Sequence, residues 1–172
     1  DLAICARNLE GLEVAKTDLL AVGEGSVFSS VADLSDAESL RDFVQAGIQE
    51  LGGLDILIHN ATGVSGQNEE GWRGTFEVDV LGAVRAIEIA QPTLEKSENA
   101  SIIFIGSTAS KQWFGRWSSY GPMKGAMRVL ANEMGQALGK RGIRVNALSP
   151  GATWFPGGSW DRTKEGKPKE LV

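Results

Sequence analysis

Short apolar stretches alternate with amphipathic helical patterns along most of this chain. Three of these stretches are LAICA (2–6), LDILIHN (54–60) and SIIFIGS (101–107). They are too apolar for a sheet with one face in water, so they predict parallel strands that are covered on both faces. Repeated strand–helix–strand units connect through right-handed crossovers. The chain is therefore predicted to be an α/β protein with a doubly wound parallel sheet in a three-layer α/β/α arrangement.

The other predicted elements continue the alternation. Further strands are predicted at 26–32 and 143–149, and helices at 8–23, 37–52, 69–95 and 119–140. The third helix is expected to end near Pro92. Pro122 is tolerated in the first turn of the last helix, where its missing N–H has no intrahelical partner to lose. Ser118 or Ser119 is predicted to cap the start of that helix.

Composition excludes several classes of protein. The single cysteine, Cys5, rules out an internal disulfide framework and fits a reducing cytosol. One histidine and one cysteine argue against a zinc site, and no apolar run reaches the roughly 18 residues of a membrane span. A net charge of −5 argues against general nucleic-acid binding. We expect one cytoplasmic domain over residues 1–172, with no metal, membrane or nucleic acid.

Polar residues and glycines close the predicted strands. Parallel strands end at one edge of a sheet, and open α/β sheets bind ligands there. The predicted strand ends are Ala6-Arg7, Ala32-Asp33, Asn60-Ala61, Gly106-Ser107 and Ser149-Pro150-Gly151. The sequence therefore predicts a ligand site at this edge.

The only tyrosine in the chain, Tyr120, is followed four residues later by Lys124. On a helix the two side chains would lie side by side, and the ammonium would favour the phenolate. The tyrosine could then exchange protons near neutrality. Ser107, at the end of the preceding strand, could bond a substrate carbonyl. The residues alone also allow an unrelated helical Tyr and Lys and a simple turn serine.

Taken together, these motifs resemble the short-chain dehydrogenase/reductase family, in particular 3-oxoacyl-carrier-protein reductases. The resemblance covers residues 1 to about 155 and rests on Tyr120-x-x-x-Lys124, Ser107, Asn60-Ala61, Asp33 and Pro150-Gly151. It implies a Rossmann-like NAD(P)-binding domain that interconverts a carbonyl and a secondary alcohol. The chain begins at what resembles the family's second strand, so it is expected to be a fragment, incomplete at both ends and without the glycine-rich phosphate loop.

The resemblance also implies roles for these residues. Tyr120 would be the general acid in reduction or the base in oxidation, Lys124 would assist it and hold the nicotinamide ribose, and Ser107 would orient the carbonyl. The family's catalytic-helix asparagine corresponds to Asp79, and Thr62 replaces a glycine. Asp79 could be ionised and paired with Lys124, or protonated by burial. These departures keep open the alternative of a non-catalytic dinucleotide-binding or oligomer-partner protein.

Cofactor choice depends on Arg7. In this family Asn60 and Ala61 would pack around the adenosine side and Asp33 would meet the adenine, with Pro150-Gly151 also at the cofactor. An acid at the end of the first strand present would bind the ribose of NAD, whereas an arginine accommodates the phosphate of NADP. Arg7 therefore favours NADP(H), and NAD(H) stays possible; a solvated helix-start arginine is the plainer interpretation.

Aromatic residues flank the predicted site. Trp113, Trp117 and Trp154 are predicted to line a substrate pocket, together with Phe114, Phe155 and Trp160, and 152–172 is predicted to form a lid. A thioester, a steroid-like ketone and a small aryl alcohol all remain open as substrates. His59 is expected to be a satisfied neighbour of the cofactor loop; no Gly-x-Ser-x-Gly surrounds Ser107, which argues against a serine hydrolase. The resemblance implies a homodimer or homotetramer through helices 69–95 and 119–140.

Overall fold

A computed structural model describes residues 1–154 and residue 156. The alternation predicted from the sequence is confirmed. The strands are β1 (Leu2–Ala6), β2 (Val27–Val31), β3 (Ile56–His59), β4 (Ser101–Ile105) and β5 (Arg144–Leu148). The helices are α1 (Leu9–Val22), α2 (Ala37–Leu51), α3 (Glu69–Thr75), α4 (Gly82–Leu94) and α5 (Tyr120–Gly139). The fold is a Rossmann-like α/β arrangement.

Local sequence signals account for the helix starts. Side chains of Asn8, Asp36 and Asn68 accept hydrogen bonds from backbone N–H groups in the first turns of α1, α2 and α3. Gly52 follows α2 in the left-handed conformation, with φ of 72°, which favours glycine. These caps place the helices within two residues of the ranges predicted from the sequence.

All strand pairs are parallel, but among the described residues they form two sheets. β1 pairs with β2, and β3, β4 and β5 pair in that order. Helix α2 leads from β2 to β3 and packs against both α4 and β1. The sequence predicts one continuous sheet, whereas the described strands form two sheets, with the break between β1 and β3.

The core lies on one face of the three-stranded sheet. Helices α4 and α5 pack there over Ile102 and Phe104, both fully buried. On the opposite face Ile56, Ile58 and Leu148 are between 53% and 59% exposed. The predicted α/β/α fold class is confirmed, but within residues 1–154 the side chains on this second face of the three-stranded sheet are exposed. The physical reason is that the two right-handed crossovers advance in one direction and bring their helices to the same face.

The predicted helix 69–95 is one continuous helical run that contains a segment of π-helix. Residues Phe76–Leu81 form a π-helical segment between α3 and α4. Such segments occur frequently at functional sites, and this one carries the fully buried Asp79. The run ends at Leu94, two residues beyond Pro92. Proline has no N–H and cannot donate the usual hydrogen bond of the helix. Leu94 is fully buried, so its packing stabilises the last turn.

Candidate active site

The carboxyl ends of β1 and β2 bring Arg7 and Asp33 to one edge. The carboxylate of Asp33 accepts hydrogen bonds from the Ser35 hydroxyl at 2.7 Å and the Ser35 N–H at 2.9 Å. These bonds, with a smaller contribution from the positive charge of Arg7, hold the pKa of Asp33 below its usual value. Arg7 itself is exposed. The edge therefore presents a free guanidinium beside a carboxylate that is already hydrogen-bonded.

Ser107 follows β4 and immediately precedes a short turn that packs on α5. Its Oγ accepts a hydrogen bond from the Ala109 N–H at 3.1 Å, and within the described residues its own hydroxyl donates to no acceptor. The short 3-10 turn Thr108–Ser110 packs on α5. A Cβ at Gly121 would lie 2.9 Å from the Ala109 carbonyl oxygen, so a glycine permits this approach. Ser107 keeps a hydroxyl proton for a ligand.

Tyr120 and Lys124 lie on one side of α5, as their spacing predicts. The Lys124 Nζ is 5.7 Å from the centre of the Tyr120 ring. Tyr120 is half-buried, and no described residue accepts a hydrogen bond from its phenol. Lys124 is only 4% exposed, and its ammonium donates to the Ile105 carbonyl oxygen at 3.1 Å. The phenol thus stands open to a ligand with a buried cation below it.

Asp79 supplies the counter-ion for that cation. Its Oδ2 lies 3.1 Å from Lys124 Nζ and accepts the Thr62 hydroxyl at 2.9 Å, while Oδ1 accepts the Gly63 N–H at 2.8 Å. The Gly63 N–H and the Lys124 ammonium can only donate hydrogen bonds, and a carboxylate offers both of its oxygens as acceptors. The ionised form therefore fits these partners, whereas a protonated carboxyl would use one oxygen as a donor. Sequence reasoning found Asp79 and Thr62 as two separate departures from the family. The structure joins them in one network.

Ser119 is a buried residue that sequence reasoning missed as part of the site. Its hydroxyl donates to the Gly71 carbonyl oxygen at 2.9 Å and accepts the Gly66 N–H at 3.2 Å. Of the two serines predicted to cap α5, Ser119 does not do so, because its side chain is used in these bonds. Ser118 Oγ instead accepts the Tyr120 N–H at 3.3 Å. Ser119 therefore ties the start of the Tyr120 helix to α3 and to the loop after β3.

The comparisons with known proteins agree with this geometry. Residues 1–159 match the family model described as short chain dehydrogenase. The chain belongs to the short-chain dehydrogenase family. This confirms the resemblance drawn from Tyr120, Lys124 and their partners.

Several named proteins and solved structures are similar to this chain. It is 34% identical over 167 residues to isoepoxydon dehydrogenase patN of Penicillium expansum, covering 94% of this chain and 64% of that protein. It is similar to the RhlG/NADP active-site complex of Pseudomonas aeruginosa (31% identity, TM-score 0.81, 96% and 67% covered). L-sorbose reductase from Gluconobacter frateurii, complexed with NADPH and L-sorbose, has 26% identity and a TM-score of 0.85, with 94% and 62% covered. The chain spans about two thirds of the length of these relatives.

The remaining residues predicted to bind the cofactor follow their strands. Asn60 is exposed and Ala61 half-buried in the loop that leaves β3. That loop packs closely on α3, since a Cβ at Gly63 would lie 2.3 Å from the Gly74 carbonyl oxygen. Pro150 and Gly151 follow β5, and the Pro150 carbonyl oxygen accepts the Thr108 N–H at 3.1 Å. These segments therefore meet at the edge that carries Ser107.

His59 departs from expectation. It is 5% exposed, and its Nε2 has no hydrogen-bond partner among the described residues. Backbone hydrogen bonds link the imidazole to Val78 and Asp79, so the prediction of a satisfied histidine is met only in part. Burial lowers the pKa of His59 to about 4, against an opposing contribution from Asp79. The imidazole is therefore neutral near pH 7 and adds no charge beside Asp79 and Lys124.

The aromatic residues predicted at the substrate side are exposed. Trp113, Trp117 and Trp154 are 70%, 52% and 56% exposed. The Trp117 carbonyl oxygen accepts a hydrogen bond from Gln67 Nε2 at 3.1 Å, which ties its loop to the loop after β3. Phe155, Trp160 and all of 157–172 lie outside the described residues, so the predicted lid is mostly beyond the structural description. Its role stays a prediction.

Other candidate sites lie away from Tyr120. One surface cleft of about 700 Å³ is lined by Ser35, Glu69, Arg73 and Phe76, among others, and a second of similar volume runs between α5 and β5. Within residues 1–154, no three His, Cys, Asp or Glu side chains gather in a way that could hold a metal ion. No helix in the same part of the chain could span a membrane. The geometry therefore offers the Tyr120 edge as the candidate active site.

Proposed function

We propose that this chain carries the catalytic core of an NADP(H)-dependent oxidoreductase that interconverts a carbonyl and a secondary alcohol. The observation that supports it is the open phenol of Tyr120 above the buried ammonium of Lys124. The two groups are 5.7 Å apart from ring centre to Nζ, and Ser107 precedes the turn that packs on the same helix. This is the acid, cation and hydrogen-bond donor that carbonyl reduction requires.

Each residue has a definite task in that reaction. A bound nicotinamide would supply or take the hydride. In reduction, the Ser107 hydroxyl donates a hydrogen bond to the carbonyl oxygen, and the Tyr120 phenol transfers its proton to the same oxygen as it becomes an alkoxide. In oxidation the phenolate takes that proton back. Lys124, which is 4% exposed, would hold the nicotinamide ribose and keep a cation beneath the phenol.

The residues at the strand ends fit a dinucleotide. Arg7 is exposed, and the nearby Asp33 is occupied with Ser35, so the guanidinium is available to a 2′-phosphate. Two structurally similar relatives are named as NADP or NADPH complexes. We therefore propose a preference for NADP(H) over NAD(H). Asn60, Ala61, Pro150 and Gly151 would line the same cofactor.

The substrate and assembly are also proposals. The exposed Trp113, Trp117 and Trp154 are suited to an apolar small-molecule carbonyl or alcohol. We also propose a cytoplasmic location and a homodimer or homotetramer that is paired through helices 69–95 and 119–140.

A second candidate is a non-catalytic dinucleotide-binding or oligomer-partner protein with the same fold. The observation that favours it is the aspartate at position 79, whose charge offsets that of Lys124. Such a protein would bind NADPH but would reduce no ketone. Turnover therefore separates the two candidates.

Tyr120→Phe in the full-length protein tests the proposal. We expect it to lower the turnover of a simple ketone with NADPH by about 10²–10⁴-fold, since a positioned general acid contributes that much. NADPH binding, measured by fluorescence titration, and thermal unfolding should stay close to wild type. Activity within a few-fold of wild type would remove Tyr120 from the reaction. Cofactor binding by an inactive wild type would favour the second candidate.

A further inference from the structure

Thr62 has no task in the proposed reaction, yet its hydroxyl is bound to the most deeply buried charge of the site. The hydroxyl donates to Asp79 Oδ2 at 2.9 Å, although the threonine lies on an exposed loop. Asp79 has no exposed surface. A buried carboxylate needs all of its hydrogen bonds from the protein, because water does not reach it. Thr62 therefore supplies one of the hydrogen bonds that the buried carboxylate needs.

The three groups around Asp79 select an acid at this position. The Gly63 N–H lies at 2.8 Å from one oxygen, and Lys124 Nζ at 3.1 Å from the other. An amide has one acceptor oxygen and one NH₂ group. In either orientation an asparagine would turn its NH₂ toward the Gly63 N–H or toward the ammonium. A carboxylate satisfies both donors, so the aspartate and the threonine belong to one arrangement.

Lys124 is held by this arrangement. Its ammonium has three donors, of which one meets Asp79 and one meets the Ile105 carbonyl oxygen at 3.1 Å. Two further titratable neighbours are His59, which burial keeps neutral, and the half-buried Tyr120. The position of the cation below the phenol is therefore set by Asp79, and the position of Asp79 is set by Thr62 and Gly63.

We infer that Thr62 is a positioning residue, which fixes Asp79 as the counter-ion of Lys124 and so holds the ammonium in place beneath Tyr120. This inference rests on the proposed function for its catalytic consequence. Its structural part, a Thr62–Asp79 contact that depends on the carboxylate, stands without that function. The two parts can be measured separately.

A double-mutant cycle tests the structural part in the full-length protein without cofactor. The variants are Thr62→Val, which keeps the shape and removes the donor, Thr62→Ser, which keeps the donor, Asp79→Asn, and Thr62→Val with Asp79→Asn. We expect Thr62→Val to reduce the folding equilibrium constant about tenfold when Asp79 is intact but about threefold or less in the Asp79→Asn background, because hydrogen bonds to charged groups are the stronger ones. Thr62→Ser should stay within about threefold of wild type. An equal loss from Thr62→Val in both backgrounds would overturn the inference.

Steady-state kinetics test the catalytic part. We expect Thr62→Val to lower kcat for ketone reduction about tenfold with unchanged NADPH affinity, and Thr62→Ser to restore it. A merely structural threonine would give the coupling in unfolding but leave kcat unmoved, and that result would overturn the positioning role. If the wild-type protein turned over no substrate, the proposed function would fail, while the unfolding cycle would still decide whether Thr62 holds Asp79.

Discussion

The inner and outer sides of the candidate site are built in opposite ways. On the inner side Asp79, Lys124 and Ser119 are at most 4% exposed, and each is hydrogen-bonded to backbone or to another side chain. On the outer side Tyr120 and Ser107 keep a phenol and a hydroxyl that donate to no described residue. Buried polar groups must be partnered to be tolerated, whereas an unpartnered donor at the edge is free for a ligand. The inner side sets charge and position, and the outer side meets the substrate.

The largest effect on the inner side is expected from Lys124→Met, which leaves Asp79 buried without its cation. We expect the free energy of unfolding of the full-length protein to fall by about 3–5 kcal/mol, the usual loss when a buried pair is broken by removing one partner. Denaturant titration measures it. The control is Arg73→Ala, which breaks the exposed Glu69–Arg73 pair (side chains 77% and 79% exposed) and should change stability little. Similar losses in both variants would contradict the distinction between the two sides.

His59 makes the stability of the inner side depend on pH. The folded protein protonates it only near pH 4, whereas the unfolded chain does so near pH 6.5. The contribution of the neutral imidazole to the free energy of unfolding is therefore complete above pH 6.5 and is lost as the pH falls toward 4. The total loss is at most about 3 kcal/mol. Unfolding measured at several pH values should show a shallower acid loss in His59→Leu than in wild type. An unchanged pH dependence in this variant would mean that His59 is not the group responsible.

Arg7→Asp tests the outer side at the cofactor edge. We expect the ratio of kcat/KM for NADPH to that for NADH to fall by about tenfold to a hundredfold, the loss of a charge-assisted hydrogen bond to phosphate. Arg41→Asp, which makes the same charge change at an exposed position on α2, is the control. A ratio that stays the same, or that changes equally in the control, would show that Arg7 does not read the phosphate.

Asp79→Asn joins the two sides, because the inner carboxylate holds the ammonium that lies beneath the outer phenol. The substitution removes the counter-ion that lies 3.1 Å from Lys124 Nζ, which is itself 5.7 Å from the centre of the Tyr120 ring. We expect kcat for ketone reduction to fall about tenfold, as in Thr62→Val, with NADPH affinity unchanged. Steady-state kinetics measure it, and a kcat equal to that of wild type would mean that Asp79 does not position the ammonium.

Local patterns predicted the features that depend on neighbouring residues. The helical spacing of Tyr120 and Lys124 predicted their shared face, and the apolar runs predicted β1 and β4 closely, because three or four residues decide such geometry. The same reasoning failed for Ser119. A serine before a helix is usually a cap, but here Gly71, 48 residues earlier, takes its hydroxyl proton. The open face over Ile56 and Ile58 could not be predicted either, since an apolar strand looks the same whether or not a helix covers it.

The sequence by itself determined the α/β class, the order of strands and helices, and the residue types gathered at the edge of the sheet. Periodicity and strand ends are local properties, and parallel strands place their ends together whatever surrounds them. Only the tertiary structure decided how Asp79 is used. Its partners are 17 residues earlier at Thr62 and 45 residues later at Lys124, so no local pattern records them. Burial removes water from the carboxylate, and the ionised form fits because the fold brings three donors to it.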